Sequence, residues 1–264
     1  MLSAVDHLVI GVADVAEAAE TYRNLGFTVT HDGDAADVGR QAAHVLFGDF
    51  HLVFPPTEGA SPVRQLVLRS DDLDAEVARL RANGFDVSNP VDGPIDRRGA
   101  SPPRRTAAVD SYIPFGLVEQ KSEPPTAGVI AHPNTATVLE RTYLAVESID
   151  RELEMFEQLL GMPAPEPEMG TVIMSMMSVF SIGDIGIAVA EPRGPGPTED
   201  ALSANGPGLF QVLFRADHLD RAEAVMVANG VPPPRRGTRL RGESALLVEP
   251  AHACNLFVAL AGQP

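Results

Sequence analysis

The stretch DHLVIGV near the start of the chain places an imidazole, His7, in a segment that otherwise reads as a half-buried strand. Side chains alternate along a strand, so Val5, His7, Val9 and Gly11 are expected on one face, with Leu8, Ile10 and Val12 on the other. A histidine so placed can ligate a metal or move a proton at neutral pH, although taken alone it is more often a hydrogen-bonded structural residue. Arg69 and Arg215 recur at matching places and can clamp a carboxylate or phosphate group, or pair with the nearby Asp71 and Asp217. The loop DGPIDRRGASPPRRTAAVD holds Arg97, Arg98, Arg104 and Arg105, and PPPRRGTRLRGES holds Arg235, Arg236, Arg239 and Arg241. Such local positive charge either steers an anionic small molecule or offsets an acidic surface. Cys254 lies near His252 in PAHACN, but no third partner stands at a recognisable spacing, so no nucleophile is expected. Phosphate-binding glycine loops, a dinucleotide fingerprint and a serine elbow are all missing.

The elements that must position these residues show themselves as repeats. QLVLRSDDLDAEVARLRANG (65–84) returns without a gap as QVLFRADHLDRAEAVMVANG (211–230). HLVIGVADVAEAAETYRNLG (7–26) has the same layout, and RTYLAVESIDRELEMFEQLLG (141–161) has it with one extra residue before the glycine. Each copy reads as a short strand, a polar turn, an amphipathic helix and a glycine stop. In the third, Ile149, Leu153, Phe156 and Leu160 fall on one helical face. Asp14, Asp72, Ser148 and Asp217 or His218 stand where a helix cap belongs, and Gly26, Gly84, Gly161 and Gly230 where a left-handed residue ends the helix. Alternating segments behind each helix predict about three further strands per unit. The breakers PPTEGASP (55–62) and RGPGPTEDALSANGPG (193–208) separate units within each pair, and SEPPTAGVIAHPNTA (122–136) is the expected domain linker. Two domains follow, residues 1–122 (units 1–56 and 62–122) and residues 136–264 (units 136–192 and 207–264). Pairing lets each unit bury the sheet face it would otherwise expose.

Composition narrows the partners. The 264 residues carry 36 acidic and 20 basic side chains, a formal net charge of -16, which argues against nucleic acid and anionic membrane. With a single cysteine no intramolecular disulfide can form, and no run approaches the roughly 18 apolar residues of a membrane span. A cytoplasmic protein acting on a small molecule is expected, with a homodimer as one assembly open to it.

The order DHLVIGV, YRNLGFTVT, VLFGDFHLVF and PFGLVEQ resembles the vicinal oxygen chelate superfamily, which includes glyoxalase I, extradiol dioxygenases, bleomycin resistance proteins and methylmalonyl-CoA epimerase. The resemblance covers nearly the whole chain at the level of its repeats. It implies an α+β fold in which four βαβββ units pair into two glyoxalase-like domains, with curved, mostly antiparallel sheets and helices outside. It also implies a divalent metal held by first and last strands. By that resemblance the ligands are His7, Gln65 and Glu119, with Val53 where a further carboxylate often sits. An imidazole and two oxygen donors suit zinc, nickel, cobalt, manganese or iron(II). His51 shares the face of Val53 and is expected as a fourth ligand or proton-transfer base, with His44 its rival. Glu119 is the other candidate base, and Arg69 and Tyr112 are expected at the substrate.

The leading expectation is therefore a metal-dependent lyase or isomerase that stabilises an enolate of a small oxygenated substrate. A metal-free protein that sequesters a small molecule is the first alternative, and an extradiol-type iron(II) dioxygenase the second. Dioxygenases of that kind are expected to use two histidines and a carboxylate, usually in the C-terminal domain. The equivalent positions there are Arg141 or Thr142, Gln211, Ala188 and Val258, which cannot hold a metal.

Overall fold

Each sequence repeat folds as a strand, a helix and a return of strands. The computed structural model describes residues 1–31, 42–57, 64–92, 104–120, 130–239 and 242–263. The first unit comprises β1 (Leu2–Ile10), α1 (Val15–Asn24), β2 (Val29–His31), β3 (Ala43–Phe47) and β4 (Phe50–Phe54). The second comprises β5 (Arg64–Ser70), α2 (Leu73–Ala82), β6 (Asp86–Val87), β7 (Val91–Asp92), β8 (Arg104–Asp110) and β9 (Phe115–Gln120). The third has β10 (Ala136–Ala145), α3 (Ile149–Leu160), β11 (Glu168–Gly170), β12 (Ser175–Ile182) and β13 (Ile185–Pro192). After α4 (Pro197–Asn205) come β14 (Gly208–Ala216), α5 (Leu219–Ala228), β15 (Arg235–Thr238), β16 (Ser244–Val248) and β17 (Phe257–Gly262).

The repeats pair as expected of an α+β chain of two such domains. One sheet runs β2-β3-β4-β1-β5-β9-β8-β6, with β7 beside β8, and the other β11-β12-β13-β10-β14-β17-β16-β15. At the middle of each, the first strands of two units lie antiparallel, β1 with β5 and β10 with β14. Each also lies parallel to its own unit's last strand, as β1 does with β4 and β10 with β13.

Side-chain caps form at α1 and α2, whereas Ser148 and His218 start α3 and α5 without a side-chain cap hydrogen bond. Asp14 caps α1 by accepting from the amides of Ala16 and Glu17, and Asp72 caps α2 through Ala75. Gly161 closes α3 at φ +70°, a conformation that costs glycine little. At α5 the cap is His218 rather than Asp217. The stretch 193–208, expected as a breaker, contains α4. Its prolines and glycines flank a helix, with Pro197 in the first turn beside Glu199 and Asp200, positions that suit a helix start.

One hydrophobic core unites the two domains on the helix side of both sheets. Phe27 and Phe47 of the first domain meet Phe214 of the second, with ring centroids 5.4 and 4.6 Å away. Asn134, fully buried, donates to the Leu25 carbonyl at 2.9 Å, and Arg79 of α2 donates to the carbonyls of Gln158 and Leu159 at the end of α3. No helix among the described residues is long and apolar enough to cross a membrane.

Strand β1 departs from strict alternation. Its register with β5 shifts between Val5 and His7, and Leu2, Val5, Leu8 and Ile10 all enter the core. The spacing of three between Val5 and Leu8 leaves Asp6 and His7 together on the inner face, away from the helices. The expected grouping of Val5 with His7 is thereby corrected, because a β-bulge inserts one residue and reverses the phase of the strand beyond it.

Candidate functional site

The bulge builds the centre of the N-terminal inner face. Asp6 is fully buried, and its Oδ2 lies 2.7 Å from Nδ1 of His7. An ionised carboxylate can only accept, so Nδ1 carries the proton, and in the neutral ring the lone pair lies on Nε2. Arg69 donates to Asp6 Oδ1 from Nε at 3.0 Å and from its terminal nitrogen at 2.8 Å, and a terminal nitrogen of Arg104 stands 3.7 Å from Oδ2. Burial by itself raises the pKa of Asp6. The bond and charge of His7, the charge of Arg104 and the bond from Arg69 outweigh it and hold the carboxyl well below the usual range.

His51 of β4 sits in register with His7, and the rings stack at 4.9 Å with 15° between their planes. His44 of β3 follows at 5.7 Å from His51. Burial, helped by the charges of His7, His44 and Arg104 and opposed by Asp6, pushes the His51 pKa down to about 3. That ring is neutral throughout the physiological range. Gln65 of β5 lies on the same face, beside Gly116, where an added Cβ would stand 3.4 Å from its amide carbon.

Two expected site residues lie elsewhere. Phe115 and Leu117 of β9 enter the core, so Glu119 points to the helix side with them. There it accepts from the amide of Leu73 at 3.1 Å, in the first turn of α2, and pairs with Arg105 at 3.2 Å. Glu119 as metal ligand or base is thus corrected to a helix-terminal residue. Tyr112 is exposed, and its hydroxyl donates to Glu152 of α3, so it joins the two domains rather than facing the inner surface.

The arginines divide in the same way. Arg69 pairs with Asp6 instead of Asp71, and Arg215 with Glu140 at 3.0 Å instead of Asp217. Arg105 binds Asp74, Arg235 binds Glu249, and Arg236 binds Asp220 and Glu223, which is the charge-offsetting role. Among the described arginines of the first loop, Arg104 is the one that reaches the inner face, where its Nε is buried without a hydrogen-bond partner among the described residues. Arg97, Arg98 and Arg241 lie outside the described residues. Burial raises the Cys254 thiol to about 11, which keeps it protonated and unreactive.

The structural roles of Asp6 and Arg104 had no counterpart in the expected ligand set. A signal for Asp6 was present, since apolar residues three apart within a strand mark a bulge. For a divalent metal, the described residues bring imidazoles together without a carboxylate to complete the set. Asp6 is engaged by His7 and Arg69, Glu119 lies on the other face, and no three His, Cys, Asp or Glu among the described residues converge. The predicted His7, Gln65 and Glu119 set does not fit a metal.

Known proteins give the same architecture. Residues 4–100 match the family model described as Glyoxalase/Bleomycin resistance protein/Dioxygenase superfamily. No curated protein sequence matches the chain. Among solved structures, a mutant of 4-hydroxymandelate synthase from Streptomyces coelicolor is similar with a TM-score of 0.69 at 18% identity, over 99% of this chain and 92% of that one. A xylose isomerase-like TIM barrel/4-hydroxyphenylpyruvate dioxygenase fusion protein gives 0.65 at 16% identity, over 99% of this chain and 49% of that one. At such identities the likeness is one of fold. The sequence match to the glyoxalase/bleomycin resistance protein/dioxygenase superfamily is confined to residues 4–100, in the N-terminal domain, and the C-terminal domain repeats that domain's architecture.

Proposed function

We propose that the N-terminal inner face is the active site of a lyase or isomerase that moves a proton on a small oxygenated anion, with His7 as the base. The observation that supports this reading is the Asp6–His7 pair at the β1 bulge. A buried carboxylate fixes the imidazole tautomer and stabilises the ring once it takes up a proton, leaving Nε2 toward the substrate. The neutral His51 ring stacked on His7 supports the same role, because a cationic neighbour would oppose that proton. The unpartnered Nε of Arg104 suits an anionic oxygen of the substrate.

The test is solvent deuterium wash-in at the carbon beside the carbonyl or carboxylate of a panel of 2-oxo and 2-hydroxy acids. Chelator-treated protein is assayed with and without zinc, nickel, cobalt, manganese or iron(II). Wash-in without metal, falling by about 10² to 10⁴ in His7→Ala, is expected. Exchange only after metal is supplied would contradict the metal-free mechanism and restore the metal-dependent reading. Absence of exchange under every condition would contradict the enzyme reading and favour a metal-free binding protein. The incomplete ligand set already points toward that alternative. An iron(II) dioxygenase is the weakest of the three, since it needs a carboxylate beside two imidazoles.

A further inference from the structure

The C-terminal sheet repeats the geometry of the first with different chemistry. Arg141 lies opposite Leu213 as His7 lies opposite Val67, and Gln211 lies opposite Tyr143 as Gln65 lies opposite Val9. Where His51 stacks on His7, the corresponding neighbour of Arg141 is Gly186. An added Cβ at Gly186 would come within 3.4 Å of Arg141 Nε, so the glycine makes room for the guanidinium. Around these residues is a cavity of about 470 Å³, a size suited to a small organic molecule.

The charges lining this cavity are unequally used. Arg215 and Arg239 share Glu140 and Glu243 in a closed network of four ion pairs. Arg141 takes no part in it. Its guanidinium carbon lies 5.9 Å from the Tyr143 ring centre, and its buried Nε has no hydrogen-bond partner among the described residues. Gln211 is only 3% exposed, lines the same cavity, and its Oε1 has no hydrogen-bond partner among the described residues either. A buried donor and a buried acceptor without partners are costly unless a ligand supplies both. Ile173, Met177 and Leu213 give the remaining wall an apolar character.

We propose that this cavity is a metal-free binding site for a small 2-hydroxy acid with an apolar side chain. Arg141 receives the carboxylate through paired N–H donors, and Gln211 Oε1 accepts from the hydroxyl. The side chain rests on Ile173, Met177 and Leu213. This site is separate from the N-terminal one and does not depend on its chemistry.

Calorimetric titration of the full chain tests the assignment with three probes, 2-hydroxyisocaproate, isocaproate and inorganic phosphate. The hydroxy acid is expected to bind more tightly than isocaproate, and phosphate more weakly than either. Arg141→Met should weaken the hydroxy acid at least about tenfold, with Arg141→Lys recovering part of it. Gln211→Leu should remove the preference for the hydroxyl, while His7→Ala should leave binding in place. Thermal melts establish that each variant is folded. The proposal is overturned if none of the probes binds at millimolar concentration, if phosphate binds best, or if folded Arg141→Met and Arg141→Lys bind as the parent does.

Discussion

At Asp6 a buried carboxylate is held by one imidazole and two guanidinium groups. Replacing it by asparagine leaves Arg69 without its ion pair, and Asp6→Asn is expected to cost about 3 kcal/mol in denaturant unfolding at neutral pH. The sign of the pH dependence follows from its lowered pKa. The stabilisation is fully present above the unfolded pKa of about 4 and is lost as pH falls toward the folded one, so parent and variant should converge in acid. His51 acts over a different window. It stays neutral in the fold to about pH 3, whereas the unfolded chain takes up the proton near 6.5. Stability should therefore fall with acidification between those values, by at most about 1.4 kcal/mol per pH unit from this residue. His51→Leu should remove that component, as urea titrations at pH 7 and pH 5 can show.

Element by element, the outcome depends on strand phase. Helix stops and caps were legible because glycine and aspartate act locally, as at Gly161 and Asp72. The faces of β1 and β9 depend on phase, which one inserted residue or one misplaced count reverses. Val5 and Leu8 already signalled the bulge, and Phe115 and Leu117 already placed Glu119 on the core side. What the sequence could not show was the long-range pairing of Tyr112 with Glu152, or the approach of Arg104 to Asp6. The relocation of Glu119 has a measurable consequence. Glu119→Gln should lower stability by about 1 kcal/mol, through the weakened contact with the α2 terminus and Arg105, and leave ligand binding and exchange activity unchanged. A specific loss of activity with unchanged stability would contradict that assignment.

For the whole molecule, the four repeats explain why the architecture was readable at all: each exposes a sheet face that only its partner unit can complete. The shared core adds a coupling that repeat patterns do not reveal. Phe214 is fully buried, stacks on Phe47 and meets the tilted ring of Phe27 in the other domain. Phe214→Ala should therefore cost about 3 to 5 kcal/mol and lower the melting temperature of both domains together in calorimetry. Two separated transitions, with the first domain unaffected, would show that they fold independently. The repeats also show how one framework holds two chemistries, since the inner-face position of His7 is taken by Arg141 in the second domain.

In the proposed site Asp6 fixes His7 as a base beside a neutral His51. Nitrogen-15 NMR of the histidine rings across pH tests it most directly. His7, when neutral, is expected to carry its proton on Nδ1 with Nε2 bare, and His51 to stay neutral until about pH 3. A neutral His7 protonated on Nε2, or a His51 that titrates near pH 6.5, would contradict it.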